Sequence, residues 1–387
     1  MIAQKLNNKL IIPFSKFLFK NKPIQNNKIV IDNFGGRGFG DNPKYIVEAL
    51  LKHNENDLDI VWLVNNMDSV VPKGVRKVKY NTVSSIKELA TAKVWIDNIK
   101  NSVKPRKRKG QYYIQTWHGG IGLKAVEAQV ESKLSSKYVI NAKRDAAQTD
   151  LMLSDSDWTT NIFKNWFWYD GPIKKTGFPR NDILVNPESS LKKKVLSFLG
   201  IDEDKKILLY APTFRDNSDI SVYQEDFNKI LKAANERFNS TYVALIRLHP
   251  NTWAELKTNN VKLYNFNDKI INASSYPDMQ ELLAVSDILI TDYSSCMFDG
   301  MISNKKVFLL AKDLAEYSSR DRGLLFKIEE LPFELALSSS DILKRISEFN
   351  EKEYFNRVNA FQKKLNIYEN GNASDQVAKL IINKCEE

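Results

Sequence analysis

The sequence predicts a doubly wound α/β protein in two domains. Three observations carry that expectation. Short apolar runs rich in β-branched residues alternate with helix-length amphipathic stretches, the pattern of parallel βαβ units. The 387 residues exceed one ordinary core and suit two domains of roughly 150–200 residues each. Glycine, histidine, arginine and serine cluster just after the apolar runs, where open α/β sheets place their ligands.

In order, the strand candidates are 28–34 (KIVIDNF), 59–64 (DIVWLV), 93–98 (KVWIDN) and 112–117 (YYIQTW), followed by 205–214 (KKILLYAPTF), 241–250 (TYVALIRLHP), 287–293 (DILITDY) and 305–310 (KKVFLL). Helix candidates between them include 43–53, 84–92 and 277–286. Gly, Pro, Asn and Ser gather at 171–190 and mark a boundary. The expected plan is a basic N-terminal segment (1–27), an α/β domain at 28–170, a second at 175–340, and a helical C-terminal stretch at 341–387. No fixed-period repeat appears.

The formal net charge of +10 suggests anionic partners, namely nucleic acid, an acidic membrane surface or phosphorylated substrates. The two cysteines, Cys296 and Cys385, have neither disulfide-framework nor metal-ligand spacing, which suits a reducing compartment. No apolar run of about 18 residues suggests a transmembrane helix, and no small-residue cleavage site follows the short apolar stretches near the N-terminus. The first 31 residues hold six lysines and no acid. Leu10, Ile11, Ile12, Phe14, Phe17, Leu18 and Phe19 interleave there with Lys9, Lys16 and Lys20, a composition for an interfacial amphipathic segment or for an ordinary surface helix. The basic run 104–110 (KPRKRKG) reads as a solvated loop.

The loops after the strand candidates carry the chemistry. After the first comes GGRGFGDNP (35–43), which misses the dinucleotide fingerprint in both frames yet can expose N–H groups to an anion. His118 follows 112–117, and Gly119, Gly120 and Gly122 come next. Arg247 and His249 end 241–250. Asp292, Ser294 and Ser295 follow 287–291. Two of the three histidines thus terminate strands, one in each half. Ser294 and Ser295 before a helix, with Arg247 and His249 as cationic donors, suit a diphosphate. A histidine, with an intrinsic pKa near ~6.5, suits proton abstraction from a hydroxyl nucleophile. HExxH, Walker A, GxSxG and paired-cysteine patterns are missing, so no metal is expected.

Taken together, FGGRGFGDNPKYI, QTWHGGIGLK, GFPRNDIL, YAPTFRD, RLHP and TDYSSCMFD resemble, in this order over about 30–330, the CDP-glycerol glycerophosphotransferases. These are teichoic-acid primases and polymerases and their capsule-polymer relatives. The resemblance implies a GT-B-like architecture, two Rossmann-like domains facing across a cleft, with the C-terminal helical segment crossing back to the N-terminal, acceptor-binding domain. It implies transfer of glycerol phosphate from CDP-glycerol to an acceptor hydroxyl with release of CMP. His118 becomes the general base. Arg247, His249, Ser294 and Ser295 become donor-phosphate ligands, and Asp292 and Arg180 further donor-site candidates. It also implies no cofactor, a lipid-linked or oligomeric acceptor, and a peripheral place on the cytoplasmic face of a bacterial membrane.

Many teichoic-acid members read Trp-His-Gly-Thr-Pro-Leu-Lys, whereas Gly120, Ile121 and Gly122 stand here in place of Thr-Pro. Gly119, Gly120, Gly122 and Lys124 are therefore expected to form a variant acceptor loop. CDP-ribitol or a nucleotide sugar is the alternative donor. A polyanion-binding protein is the remote alternative, because no groove-reading helix or stacking motif accompanies the charge.

Overall fold

The computed structural model describes residues 10–53, 57–215, 220–320 and 323–387. They form two compact units. The first comprises Met1–Gly120, Val126–Asp182 and Ile367–Glu387, and the second Ile121–Ala125 and Ile183–Asn366. Lys9 of the basic segment and Asp216 of YAPTFRD (210–216) lie outside the described residues.

The first unit is a seven-stranded parallel sheet. Its strands are β1 (Gln25–Ile31), β2 (Asp59–Val64), β3 (Val75–Lys79), β4 (Ala92–Asp97), β5 (Tyr112–Gln115), β6 (Leu151–Ser154) and β7 (Ile173–Lys175), in the order β3-β2-β1-β4-β5-β6-β7. The reversal at β1 and β4 is the switch point of a doubly wound sheet. The first-unit helices named below are α1 (Ile12–Phe19), α2 (Asp41–Lys52), α3 (Val83–Thr91), α4 (Ser136–Ala146) and α5 (Asp157–Trp166). Residues alternate between two cores with the period of two that a strand imposes. Ile29 and Ile31 pack with Ile46 and Leu50 of α2 and with Val377, Ala378 and Ile381 of the C-terminal helix (Ala373–Glu386). Val30, Val61, Leu63, Trp95 and Tyr113 pack with Leu89 of α3 on the opposite face. Burial on both faces explains why β2 and β4 read as continuous apolar runs.

The second unit repeats the plan with six parallel strands, β8 (Lys206–Tyr210), β9 (Tyr242–Ile246), β10 (Ile270–Asn272), β11 (Ile288–Thr291), β12 (Lys306–Leu310) and β13 (Glu334–Ala336), in the order β10-β9-β8-β11-β12-β13. Helices α6 (Leu191–Leu199), α7 (Phe227–Phe238), α8 (Pro250–Thr258), α9 (Met279–Val285) and α10 (Cys296–Ile302) accompany them. Both units are Rossmann-like, in agreement with the predicted class.

The division differs from the sequence plan in two places. It falls at Asp182 rather than before 175, because β7 pairs with β6 and so belongs to the first sheet. The C-terminal stretch is itself divided. Helix Glu351–Leu365 stays with the second unit, where the Tyr354 hydroxyl accepts from Val307 N (2.9 Å) and donates to the Lys305 carbonyl (2.9 Å); only Ile367–Glu387 belongs to the first.

Candidate active site

His118 lies three residues beyond β5, in the loop at the carboxyl edge of the first sheet. It is half-buried, with its ring 4.1 Å from that of Trp117 and 5.3 Å from that of Phe34. Its Nδ1 stands 2.8 Å from the Asn98 carbonyl oxygen. A carbonyl only accepts, so Nδ1 carries the proton in the neutral ring and Nε2 keeps its lone pair. Burial pushes the imidazole pKa below the usual histidine value, while the Asn98 carbonyl and the Asp41 carboxylate pull weakly the other way. The ring is therefore a neutral base near pH 7.

The loop that holds it is strained and heavily bonded. Trp117 has φ 54°, the left-handed region, which costs a non-glycine residue roughly 1–2 kcal/mol. The Trp117 N–H donates to Gln115 Oε1 (2.9 Å) and its carbonyl accepts from Asn42 Nδ2 (3.0 Å). Arg180 Nη1 donates to the His118 carbonyl and to Asp41 Oδ2, both at 2.9 Å. Arg180 is buried, and its side chain is directed at this loop. There Asp41 and the His118 carbonyl engage its Nη1 within the first unit.

Behind Asn98 lies a buried polar cluster. Asn98 Nδ2 donates to Asn33 Oδ1 (2.8 Å), and the Phe34 N–H donates to Asn98 Oδ1 (2.8 Å), which ties the loop after β4 to the one after β1. Asn101 Nδ2 donates to both Asp32 (3.2 Å) and Asp97 (2.5 Å), and Lys104 pairs with Asp97 (2.5 Å) and Asp145 (2.9 Å). Burial raises the Asp97 carboxyl to about 6, and burial together with the Asp97 charge raises Asp32 well above its ordinary value. In the glycine-rich loop, Gly36 combines φ 83° with a tight fit, since a Cβ there would meet Tyr80 Cβ at 2.8 Å and Asn65 N at 2.9 Å. Its N–H donates to Asp32 Oδ1 (2.7 Å), so it points inward rather than to an anion.

The expected acceptor loop is divided between the units. Gly119 and Gly120 belong to the first. A Cβ on Gly119 would stand 3.3 Å from Arg180 Nη2, and one on Gly120 would collide with the Asp155 carboxylate. Gly120 is thus required by a protein carboxylate. Gly122 and Lys124 belong to the second unit, where Leu123 and Ala125 are buried. The Ala125 N–H donates to the Gly323 carbonyl (3.0 Å) and the Leu325 N–H to the Leu123 carbonyl (2.8 Å). Lys124 Nζ lies 4.9 Å from the Tyr317 ring centre.

In the second unit the candidates lie just past β9 and β11. Arg247 Nη1 donates to the carbonyls of Ala273 (3.1 Å) and Tyr276 (2.6 Å). No carboxylate among the described residues lies within ion-pair distance of it, and burial lowers its pKa. Burial disfavours this cation and the Asp278 carboxylate offsets it only in part, an arrangement to which a bound anion would add. His249 is the N-cap of α8. The Asn251 N–H donates to its Nδ1 (3.2 Å), which leaves the neutral ring's proton on Nε2 as a donor. Ser295 caps α10 by position, but its side chain makes no capping bond, while Ser294 Oγ accepts from the Cys296 N–H (3.4 Å).

Asp292 is different. It is buried, and its Oδ1 accepts from Thr213 N (2.8 Å), Thr213 Oγ1 (2.6 Å) and Tyr293 N (2.6 Å). Its Oδ2 accepts from Arg215 Nη2 (2.7 Å). With both oxygens bonded, Asp292 fastens the β8 and β11 loops together beside Ser294 and Ser295. Arg215 also pairs through Nε with Asp313 (2.7 Å). Burial opposes the Arg215 charge, but the Asp313 and Asp292 carboxylates outweigh it and raise its pKa.

Asn42, Asn98, Asp41, Arg215 and Asp313 escaped the sequence reading. The Asp-Asn pairs at 41–42 and 97–98 are residue types common at caps and turns, and Arg215 carried a signal only as part of YAPTFRD (210–216). Among the described residues no group of carboxylate, histidine and cysteine side chains is arranged to hold a metal ion.

Residues 14–383 match the model of the CDP-Glycerol:Poly(glycerophosphate) glycerophosphotransferase family. The chain is 31% identical over 377 residues to the teichoic acid poly(glycerol phosphate) polymerase of Staphylococcus epidermidis, covering 94% of this chain and 51% of that protein. It is 29% identical to the teichoic acid glycerol-phosphate transferase of Staphylococcus aureus, covering 95% and 96% respectively. The chain thus spans about half the length of the polymerase and nearly all of the transferase. Among solved structures, a variant of the wall teichoic acid polymerase TagF soaked with CDPG superposes with a TM-score of 0.85 at 30% identity, covering 100% of this chain and 95% of that one. A family model matching from Phe14 onward over nearly all the described residues, on two Rossmann-like units with His118 at a strand end, makes this chain a member of the CDP-glycerol:poly(glycerophosphate) glycerophosphotransferase family.

Proposed function

We propose that the protein transfers glycerol phosphate from CDP-glycerol to a hydroxyl of a teichoic-acid or capsule-type acceptor, releasing CMP. The observation that carries this reading is His118, a neutral imidazole whose Nδ1 is engaged by the Asn98 carbonyl and whose Nε2 is left as a base. The acceptor hydroxyl gives its proton to Nε2 while its oxygen forms a bond to the β-phosphorus of the donor. The bond from that phosphorus to the oxygen bridging to the α-phosphate breaks, and CMP leaves with the electron pair. Arg247, the Nε2–H of His249 and the hydroxyls of Ser294 and Ser295 bind the diphosphate and stabilise the added charge. The chemistry needs no cofactor, because the donor already carries an activated phosphoryl group.

The supply of a lipid-linked or oligomeric acceptor fits a peripheral place on the cytoplasmic face of the membrane. Helix α1 supports this. Leu10, Phe14 and Phe17 are 62%, 66% and 64% exposed, while Ile12 and Ser15 are buried. Lys16 is anchored by a 3.0 Å bond to the Ser102 carbonyl, and Lys20 sits over the Phe17 ring. Lys16 thus fixes the helix to the domain, and the exposed apolar ridge beside Lys20 suits an anionic lipid surface. No helix among the described residues is long and apolar enough to cross a membrane.

The test is CMP release by the purified chain with a donor panel of CDP-glycerol, CDP-ribitol and UDP-sugars, plus a prenyl-linked oligomeric acceptor. Turnover with CDP-glycerol that His118→Ala abolishes is the expected result. A folded His118→Ala variant with wild-type turnover refutes the base assignment, and turnover with a UDP-sugar alone refutes the donor. For the membrane, Phe14→Ser with Phe17→Ser should abolish co-sedimentation with anionic vesicles; unchanged co-sedimentation refutes that part.

A further inference from the structure

Two consecutive carbonyls, those of Trp117 and His118, are gripped from the same pair of segments. Asn42, wholly buried at the start of α2, donates Nδ2 to the Trp117 carbonyl at 3.0 Å. Arg180, from the turn Pro179–Asn181, donates Nη1 to the His118 carbonyl at 2.9 Å. The two grips are joined, since the Arg180 backbone N–H donates to Asn42 Oδ1 (3.1 Å). Asp41 braces both. Its Oδ2 pairs with Arg180 (2.9 Å) and its Oδ1 accepts from the Asn42 N–H (2.8 Å), while its own backbone is left-handed at φ 55°. A residue held in the left-handed region persists only where its surroundings over-determine it, and such residues concentrate at functional sites. Trp117 meets that description one residue before the candidate base.

We propose that Asn42 and Arg180, braced by Asp41, are positioning residues that hold the Trp117–His118 peptide so that the His118 ring keeps Nδ1 on the Asn98 carbonyl and presents Nε2 to the acceptor hydroxyl. The proposal rests on the reading of His118 as the general base. Without the grips, Trp117 relaxes to an ordinary φ and its carbonyl turns. The ring then leaves Asn98, and the Nδ1–H tautomer is no longer enforced. A base misplaced by about 1 Å, or carrying its proton on the wrong nitrogen, costs on the order of 100-fold in rate. All of these contacts lie within the first unit, so the proposal expects donor KM to stay near its wild-type value.

The experiment measures kcat, donor KM and the histidine ring ¹⁵N shifts in Asn42→Ser, Arg180→Met and Arg180→Lys, with His118→Ala assigning the His118 signals. In the wild type the His118 signals report the Nδ1–H tautomer. Asn42→Ser and Arg180→Met are expected to lower kcat by roughly 10–100-fold with donor KM within about twofold, and to give mixed tautomers. Arg180→Lys, which keeps a cation for Asp41 and a donor for the His118 carbonyl, is expected to recover most of kcat. A donor KM raised tenfold or more at unchanged kcat in Arg180→Met overturns the proposal and makes Arg180 a donor ligand. Wild-type kcat and a single Nδ1–H tautomer in folded variants overturn it as well. Should Arg180→Met not fold, Asn42→Ser decides by the same two readouts. His118→Ala separates the two levels: retained turnover there removes the base assignment and the proposal together. Abolished turnover there, with wild-type behaviour in Asn42→Ser and Arg180→Met, removes the proposal alone.

Discussion

Replacing Arg215 by methionine tests whether the loops of the second unit are fastened by a buried ionic knot. The substitution keeps the aliphatic stem and removes four contacts: Nε to Asp313 (2.7 Å), Nη2 to Asp313 (3.1 Å) and to Asp292 (2.7 Å), and Nη1 to the Thr213 carbonyl (2.7 Å). Two carboxylates lose their counter-ion. Breaking a buried pair from one side costs about 3–5 kcal/mol. The lower end applies, because Asp292 keeps three donors on Oδ1 and Asp313 keeps the Tyr293 hydroxyl (2.9 Å). A loss of about 3 kcal/mol lowers Tm by roughly 6–12 °C for a unit of about 190 residues. It also raises the opening constant of the β8 and β11 amides roughly 140-fold in native-state hydrogen exchange. Adding Asp292→Asn and Asp313→Asn removes the stranded charges and should restore about half the loss. Calorimetry and exchange on the full chain read both numbers. A Tm within about 2 °C of wild type and unchanged β11 protection would refute the reasoning. The Asp292 carboxylate would then be solvated and open to a ligand.

The acid limb of kcat/KM should fall below the ordinary histidine value of ~6.5, because burial disfavours the His118 imidazolium and activity is lost only as pH drops through the lowered pKa; a limb at or above that value in a pH profile contradicts the burial argument. Gly120→Ala drives a Cβ into the Asp155 carboxylate, which accepts from Ser156 Oγ at 2.9 Å, and should cost about 1–3 kcal/mol by thermal melting. Gly122→Ala, with nothing within 4 Å, should melt like the wild type. Asp32→Asn should gain stability relative to wild type as pH rises. A carboxyl whose folded pKa is raised favours the fold below its unfolded pKa of about 4 and loses that contribution as pH climbs through the folded value. Paired urea melts at pH 5 and pH 8 check the sign, and a difference that shrinks toward pH 8 counts against it.

What was legible in the sequence follows the physics of burial. DIVWLV became β2 at the predicted bounds because both faces of a central parallel strand are covered, which leaves an uninterrupted apolar run. VRKVK, by contrast, is the edge strand β3 with partly exposed side chains, and its charges hide the apolar run by which the central strands were read. β7, β10 and β13, three residues each, offer too little pattern to read. His118 was legible because a rare titratable residue ended a strand run. Its supports were not: Asn42 and Asn98 are common turn residues whose partners are set by the fold, and the bond from Asn42 spans 75 positions. The bond that Asp292 makes was hidden for the same reason, since its partner Arg215 lies 77 positions away and nothing local announces the pair.

The C-terminal helix carries a consequence for how the protein is made. Val377, Ala378 and Ile381 belong to the same core as Ile29, Ile46 and Trp62, so the first unit is completed by its last-synthesised segment. After Asp182 is translated, the ribosome adds the whole second unit before that helix exists. At 5–20 residues per second this interval lasts on the order of 10–40 seconds. Throughout it, the apolar face that Val377 and Ile381 will cover has no permanent partner from its own chain. The nascent first sheet is therefore exposed to self-association in that interval, and deleting 373–387 while sparing every residue of the second unit should cause aggregation rather than a mere loss of activity.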